Sequence, residues 1–132
     1  MRVIIAGSRH LKQLDVIYWA VSAGVEVGIS VSELVCGLAP GADSLGEQWA
    51  KEHKIPVRCF PAEWGTWGKS AGPRRNQAMA DYAEALIAVK ILGVPSKGTD
   101  DMIRRAKARN LPYVVCTVPK KEAGLDTPGI SL

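Results

Sequence analysis

Five short apolar runs, each separated from the next by a helix-length segment, constrain this chain more than any other feature. The runs are Arg2–Ala6, Glu33–Cys36, Val57–Phe60, Ala85–Val89 and Tyr113–Val118. All are rich in Val, Ile and Leu without a strict polar alternation, as strands covered on both faces are. The intervening segments open near Asp15, Ala42, Pro73 and Asp100. Trp49 follows Leu45 by four residues, and Met102, Ile103 and Ala106 fall on one helical face. Such alternation implies right-handed crossovers and a parallel sheet with helices on both sides. Ile55-Pro56 and Leu111-Pro112 end the preceding helices and lead into the third and fifth runs. The expected architecture is one Rossmann-like, three-layer α/β domain over residues 1–118 with a five-stranded, mostly parallel sheet. A loosely structured C-terminal tail is expected over 119–132, where Lys120, Lys121, Gly124, Pro128 and Gly129 occur.

Length and composition agree with this. A chain of 132 residues suits one domain, and folding at that size hides roughly two-thirds of the unfolded surface. Hydrophobic residues are 47% and charged residues 23%, which argues against disorder. Cys36, Cys59 and Cys116 cannot all pair and each lies in an apolar run, so all three read as buried thiols in a reducing, cytoplasmic setting. Met1 is followed almost at once by Val3-Ile4-Ile5-Ala6 rather than by a secretory signal. No apolar stretch is long enough for a membrane span. No Cys/His cluster suggests a metal, and no cofactor is implied. The net charge of +4, with a pI near 9.1, is a mild basic bias compatible with phosphate ligands.

In open parallel sheets, ligands bind beyond the carboxyl ends of the strands, and unusual residues cluster after four of the five runs. Gly7-Ser8-Arg9-His10 follows the first, combining close backbone approach with donors. Gly37-Leu38-Ala39-Pro40-Gly41-Ala42-Asp43 follows the second and opens a helix, whose N-terminus suits an anion. Asp43 is expected chiefly to cap that helix; its sharper role would be to hold a ribose hydroxyl or orient an arginine. Trp64-Gly65-Thr66-Trp67-Gly68-Lys69 and Gly72-Pro73-Arg74-Arg75-Asn76 follow the third. Adjacent helical arginines diverge by about 100°, so one faces the ligand and the other a partner or carboxylate. Trp64 or Trp67 offers a face for base stacking, although tryptophan in a small domain is more often core. Trp19 and Trp49 are expected in the core, and His53 at a helix end. Ser96-Lys97-Gly98-Thr99, before Asp100 and Asp101, reads either as a capped helix start with Thr99 as N-cap or as a phosphate cradle. Neither a Walker A loop nor a G-x-G-x-x-G fingerprint is present. No nucleophile–base pair is legible, and no catalytic residue is assigned.

In order and spacing, Gly7-Ser8-Arg9, Gly37-x-x-x-Gly41-Ala42-Asp43, Gly72-Pro73-x-Arg75-Asn76-x-x-Met79 and Lys97-Gly98-Thr99-x-x-Met102 resemble the SLOG superfamily. That superfamily joins DprA/Smf DNA-processing proteins with LOG nucleotide phosphoribohydrolases, and the chain is most similar to its small single-domain YspA/YpsA-related members, found in phage and bacteria. The resemblance spans Arg2 to Val118. It implies a nucleotide-derived phosphate ligand held at the strand ends in a sensor, carrier or sequestering role, with Arg9, Arg74, Arg75 and Lys97 binding phosphate. The DprA-like motifs imply, as an alternative, single-stranded DNA binding in recombination. LOG enzymes carry Pro-Gly-Gly-x-Gly-Thr-x-x-Glu, whose glutamate takes part in N-glycosidic cleavage. Here Lys97 replaces a glycine and Met102 occupies the glutamate position; methionine handles no proton, so N-glycosidase activity would need Asp100 or Asp101 as a substitute. The resemblance also makes a homodimer the expected assembly.

Overall fold

A computed structural model describes residues 1–125. Five strands, β1 (Arg2–Gly7), β2 (Glu33–Cys36), β3 (Val57–Cys59), β4 (Ala85–Ile91) and β5 (Tyr113–Val118), form one sheet in the order β3-β2-β1-β4-β5. Every neighbouring pair is parallel, so the sheet is wholly and not just mostly parallel. The helices are α1 (Leu14–Glu26), α2 (Ala42–Glu52), a single turn α3 (Trp64–Trp67), α4 (Ala71–Tyr82) and α5 (Lys97–Ala108), with a 3-10 turn over Gly68–Ser70.

The period of two along β1 explains why its sequence is uniformly apolar. Val3 and Ile5 join Ile17, Leu34, Trp49 and Ile87 in the core beneath α1 and α2. Ile4 and Ala6 join Val35, Met79, Leu86 and Met102 in a second core beneath α4 and α5. A strand buried on both faces has no position free for a polar residue. The chain winds from β1 to β2 and β3 on one side, then crosses to β4 and β5 on the other. The two directions meet between β1 and β4, where the loops after those strands splay apart and leave a crevice.

Several expectations are corrected. Cys59 is exposed while Cys36 and Cys116 are buried; it ends an edge strand only three residues long, where Arg58 is also exposed. Trp19 is 49% exposed, because Val16, Ile17, Ala20 and Gly24 form the buried stripe of α1 and Trp19 falls outside it. Trp49 is buried as expected, and His53 ends α2. Thr99 is not an N-cap: α5 starts at Lys97 after Ser96, and Thr99 is buried in its first turn with its hydroxyl 2.5 Å from that of Ser96. Ala123 is fully buried, its carbonyl accepts from the Lys12 N–H at 3.0 Å, and its own N–H donates to Pro119 at 3.1 Å. The rest of the expected tail, including Pro128 and Gly129, lies outside the described residues. Among the described residues no helix is long and apolar enough to cross a membrane, and none of the His, Cys, Asp and Glu side chains group into a metal site.

Candidate functional site

Beyond the carboxyl ends of the strands lies a cavity of about 720 Å³, within the range of small-molecule sites. The end of β1 contributes Gly7 and the loop after it Arg9, the loop after β2 Gly37 and Leu38–Pro40, and α2 Asp43. Pro61, Ala62 and Trp64 come from the segment after β3, Arg75, Asn76 and Met79 from α4, and Pro95–Thr99 with Met102 from the start of α5. Four segments far apart in sequence thus converge because all of them leave the same edge of a parallel sheet. Three cations, Arg9, Arg75 and Lys97, face one carboxyl, Asp43, among the lining residues.

Arg75 is the best-anchored of the cations. Its Nη1 donates to the Gly37 carbonyl, and its Nε donates to Asn76 Oδ1 at 3.0 Å. Asn76 is buried and donates onward to Asp101 Oδ2 at 2.9 Å and to the Gly98 carbonyl at 3.3 Å. One short polar chain therefore fixes the β2 loop, α4 and the start of α5 relative to one another, and among the described residues none of its buried side-chain atoms lacks a partner. Asp101 belongs to it, also accepting from Arg105 at 2.9 Å and from Arg104. Burial pushes its carboxyl up, but the bonds from Arg105 and Asn76 and the neighbouring charges outweigh this and hold it below the usual range. Asp100 pairs with Lys90 at 2.6 Å. Neither aspartate lines the cavity.

Asp43 does not cap α2, whose N-cap is Gly41 without a side-chain bond. Its Oδ2 instead accepts the Ala39 N–H at 3.1 Å, bracing the loop from which it came. Asp43 and Arg75 flank Gly37, where a Cβ would stand 2.7 Å from Arg75 Nη1 and 2.9 Å from Asp43 Oδ2, without a direct ion pair between them among the described residues. The same loop holds Leu38 at φ 59, a left-handed conformation unfavourable for leucine. Asp43 therefore acts on its own loop, through the Ala39 amide, and not as the cap of α2. Burial pushes the Asp43 carboxyl up to about 6, with the Ala39 bond and the Arg75 charge partly opposing it.

A pH dependence follows. The folded state binds the Asp43 proton more tightly than the unfolded chain, so its ionisation lowers stability as pH rises from about 4 to about 6 and has no further effect above that. The full effect is on the order of 3 kcal/mol. In urea unfolding of wild type and Asp43→Asn at pH 4.5 and 7.5, the wild type is expected to lose stability relative to the variant at the higher pH. A parallel pH response in both proteins would contradict this.

The remaining candidates divide clearly. Ser8 is fully buried and does not line the cavity; its Oγ accepts the His10 N–H at 3.2 Å and its carbonyl accepts the Ala42 N–H at 3.1 Å. The first amide of α2 is therefore taken by the β1 loop, and Gly41 acts by letting that loop pass, not by contacting the cavity. The N-terminus of α5 differs: Lys97, Gly98 and Thr99 line the cavity, and first-turn amides have no acceptor within their helix. Arg74 turns outward, stacking 3.8 Å from the Trp67 ring centroid with its Nε 3.2 Å from Ser70 Oγ. With Trp67 it borders a shallower depression beside the cavity. Neither Trp64 nor Trp67 is core; they are 59% and 46% exposed. The sequence offered no signal for Pro61 and Ala62 as lining residues, since neither side chain is a donor, an acceptor or a charge.

Fold and site together define a Rossmann-like domain with an anion-suited cleft at the point where its strand order reverses. A family model described as YAcAr, the YspA, cpYpsA-related SLOG family, matches residues 1–67, just over half of the 132. The chain belongs to that family. The match carries the loops after β1 and β2 and reaches Trp64, while Arg75 and the start of α5 lie beyond it. No curated protein and no solved structure is matched by the chain.

Proposed function

We propose that this protein binds a nucleotide-derived, phosphate-bearing small molecule at the strand ends and holds it, as a sensor, carrier or sequestering protein, without cleaving it. The observation that carries this reading is the convergence of Arg9, Arg75, Lys97 and the open first turn of α5 on one cavity. Arginine and a helix N-terminus are both phosphate donors, and the volume exceeds what a phosphate alone would fill. Membership of a SLOG family supports a nucleotide-related role. Holding is favoured over N-glycosidic cleavage because buried Met102 stands in the wall where LOG enzymes place glutamate, while Asp100 and Asp101 are paired outside the cavity. Calorimetric titration with ADP, ADP-ribose, AMP and cyclic nucleotides tests the proposal: saturable binding of at least one is expected, and no binding of any would refute it.

Single-stranded DNA binding is the second reading, supported by the Arg74–Trp67 pair just outside the cavity, which would extend a cationic and aromatic track along a strand. It requires oligonucleotide affinity that falls steeply with salt. Salt-insensitive or absent binding would exclude it.

A further inference from the structure

The two ends of the cavity differ in chemistry. At the β1–β4 switch point it is cationic, with Arg9 and Lys97; toward the β3 edge it is bounded by Pro61, Ala62 and Trp64. The two tryptophans near that edge are also unlike. One face of Trp67 is covered by the Arg74 guanidinium, and Trp67 does not line the cavity. Trp64 takes part in no aromatic pair or cation–π contact among the described residues, although it lines the cavity. Its ring edge rests on the first turn of α4, where a Cβ at Gly72 would stand only 3.2 Å from Trp64 Cη2. The ring is thereby located by one edge while most of it stays open.

From this arrangement we propose that Trp64 is the platform on which the base of the bound nucleotide stacks, so that the site selects nucleoside-linked phosphates over phosphate groups alone. The proposal rests on the phosphate-binding reading above and adds its second half: an anion at the switch point and an aromatic base at the β3 edge. A flat aromatic side chain is a sequence-tolerant partner for any base, and Trp67, outside the cavity and with one face taken by Arg74, is not equivalent. Gly72 is then a positioning residue, since any side chain there would push against the indole edge.

The test is titration of wild type, Trp64→Ala, Trp64→Phe and Trp67→Ala with ADP and, separately, with inorganic pyrophosphate. Wild type should prefer ADP; Trp64→Ala should weaken ADP roughly tenfold to a hundredfold while pyrophosphate changes by less than about twofold, the scale of one lost base–aromatic stack. Trp64→Phe should retain most ADP affinity, and Trp67→Ala should keep the preference for ADP. Quenching of tryptophan emission by ADP should be largely lost in Trp64→Phe and kept in Trp67→Phe, a signature that a purely structural role would not produce. Pyrophosphate binding with no gain for ADP, or equal losses for both ligands in Trp64→Ala, would overturn the stacking role and leave the phosphate reading standing. If wild type binds neither, the stacking role falls, and the phosphate reading falls with it only when ADP-ribose, AMP and cyclic nucleotides also fail to bind.

Discussion

Replacing Arg75 with alanine is expected to do two kinds of damage at once. Its guanidinium holds the Gly37 carbonyl and Asn76, and it faces the carboxyl of Asp43. Truncation leaves a carbonyl and a largely buried carboxylate without their cation, and hydrogen bonds from charged donors are worth about 1.5–3 kcal/mol. Because Arg75 is only partly buried, a loss of about 2 kcal/mol is expected, or roughly 6–8 °C in Tm for a domain of this size. Ligand affinity should fall further. Among the described residues Nη2 has no protein partner, and losing a charged phosphate donor weakens binding by roughly tenfold to a hundredfold. Arg75→Lys separates the effects: it keeps a positive charge but not the planar fork, so its deficit in ADP binding should exceed its deficit in stability. A Tm within a degree or so of wild type together with unchanged ADP affinity in Arg75→Ala would remove this residue from the site.

Gly41→Ala is expected to be the most damaging single substitution at the site, although Gly41 lines no cavity. Its backbone sits at φ 77 and ψ −123, a region costly for any residue with a Cβ. An added Cβ would lie 2.3 Å from the Ser8 carbonyl oxygen and 2.5 Å from the Arg9 carbonyl carbon. Both are main-chain atoms, so neither can step aside without moving the β1 loop and Arg9 with it. Backbone strain and overpacking together suggest a loss of about 3–5 kcal/mol, a large share of the stability of an ordinary domain. Gly98→Ala is the matched control at the other helix start. A Cβ there meets nothing within 4 Å, and alanine favours a helix, so its urea midpoint should equal or exceed that of wild type. Similar midpoints for the two variants would contradict the close passage of the β1 and β2 loops.

The sheet was legible in the sequence because burial on both faces leaves an unmistakable apolar run, and the mixed fate of alternate residues along β1 does not blur it. Edge strand β3 was read less well, since only part of Val57–Cys59 is covered and Cys59 emerges into solvent. Trp19 was misjudged because hydrophobicity alone does not fix the phase of a helix; the stripe through Val16, Ile17, Ala20 and Gly24 does. At the site, glycines and cations announced the loops, but not the division of labour among them. That Arg74 and Arg75 must diverge follows from helical geometry, whereas which one enters the cavity depends on where α4 begins. Asp43 is instructive: at the sequence level it looks like a cap, and only the folded loop reveals the Ala39 amide as its partner. Trp64 and Trp67 could not be told apart, because an irregular segment has no period from which to infer a face.

The central claim, that phosphate of a nucleotide sits at the switch point against Arg9, Arg75 and the first turn of α5, is tested most directly by titrating isotope-labelled protein with ADP and following backbone amide shifts. Saturable changes are expected at Gly7, Arg9, Gly37, Lys97, Gly98 and Thr99, and they should be strongly reduced in Arg75→Lys. Unmoved amides at these positions, or changes gathered on α1 and β5 instead, would contradict it.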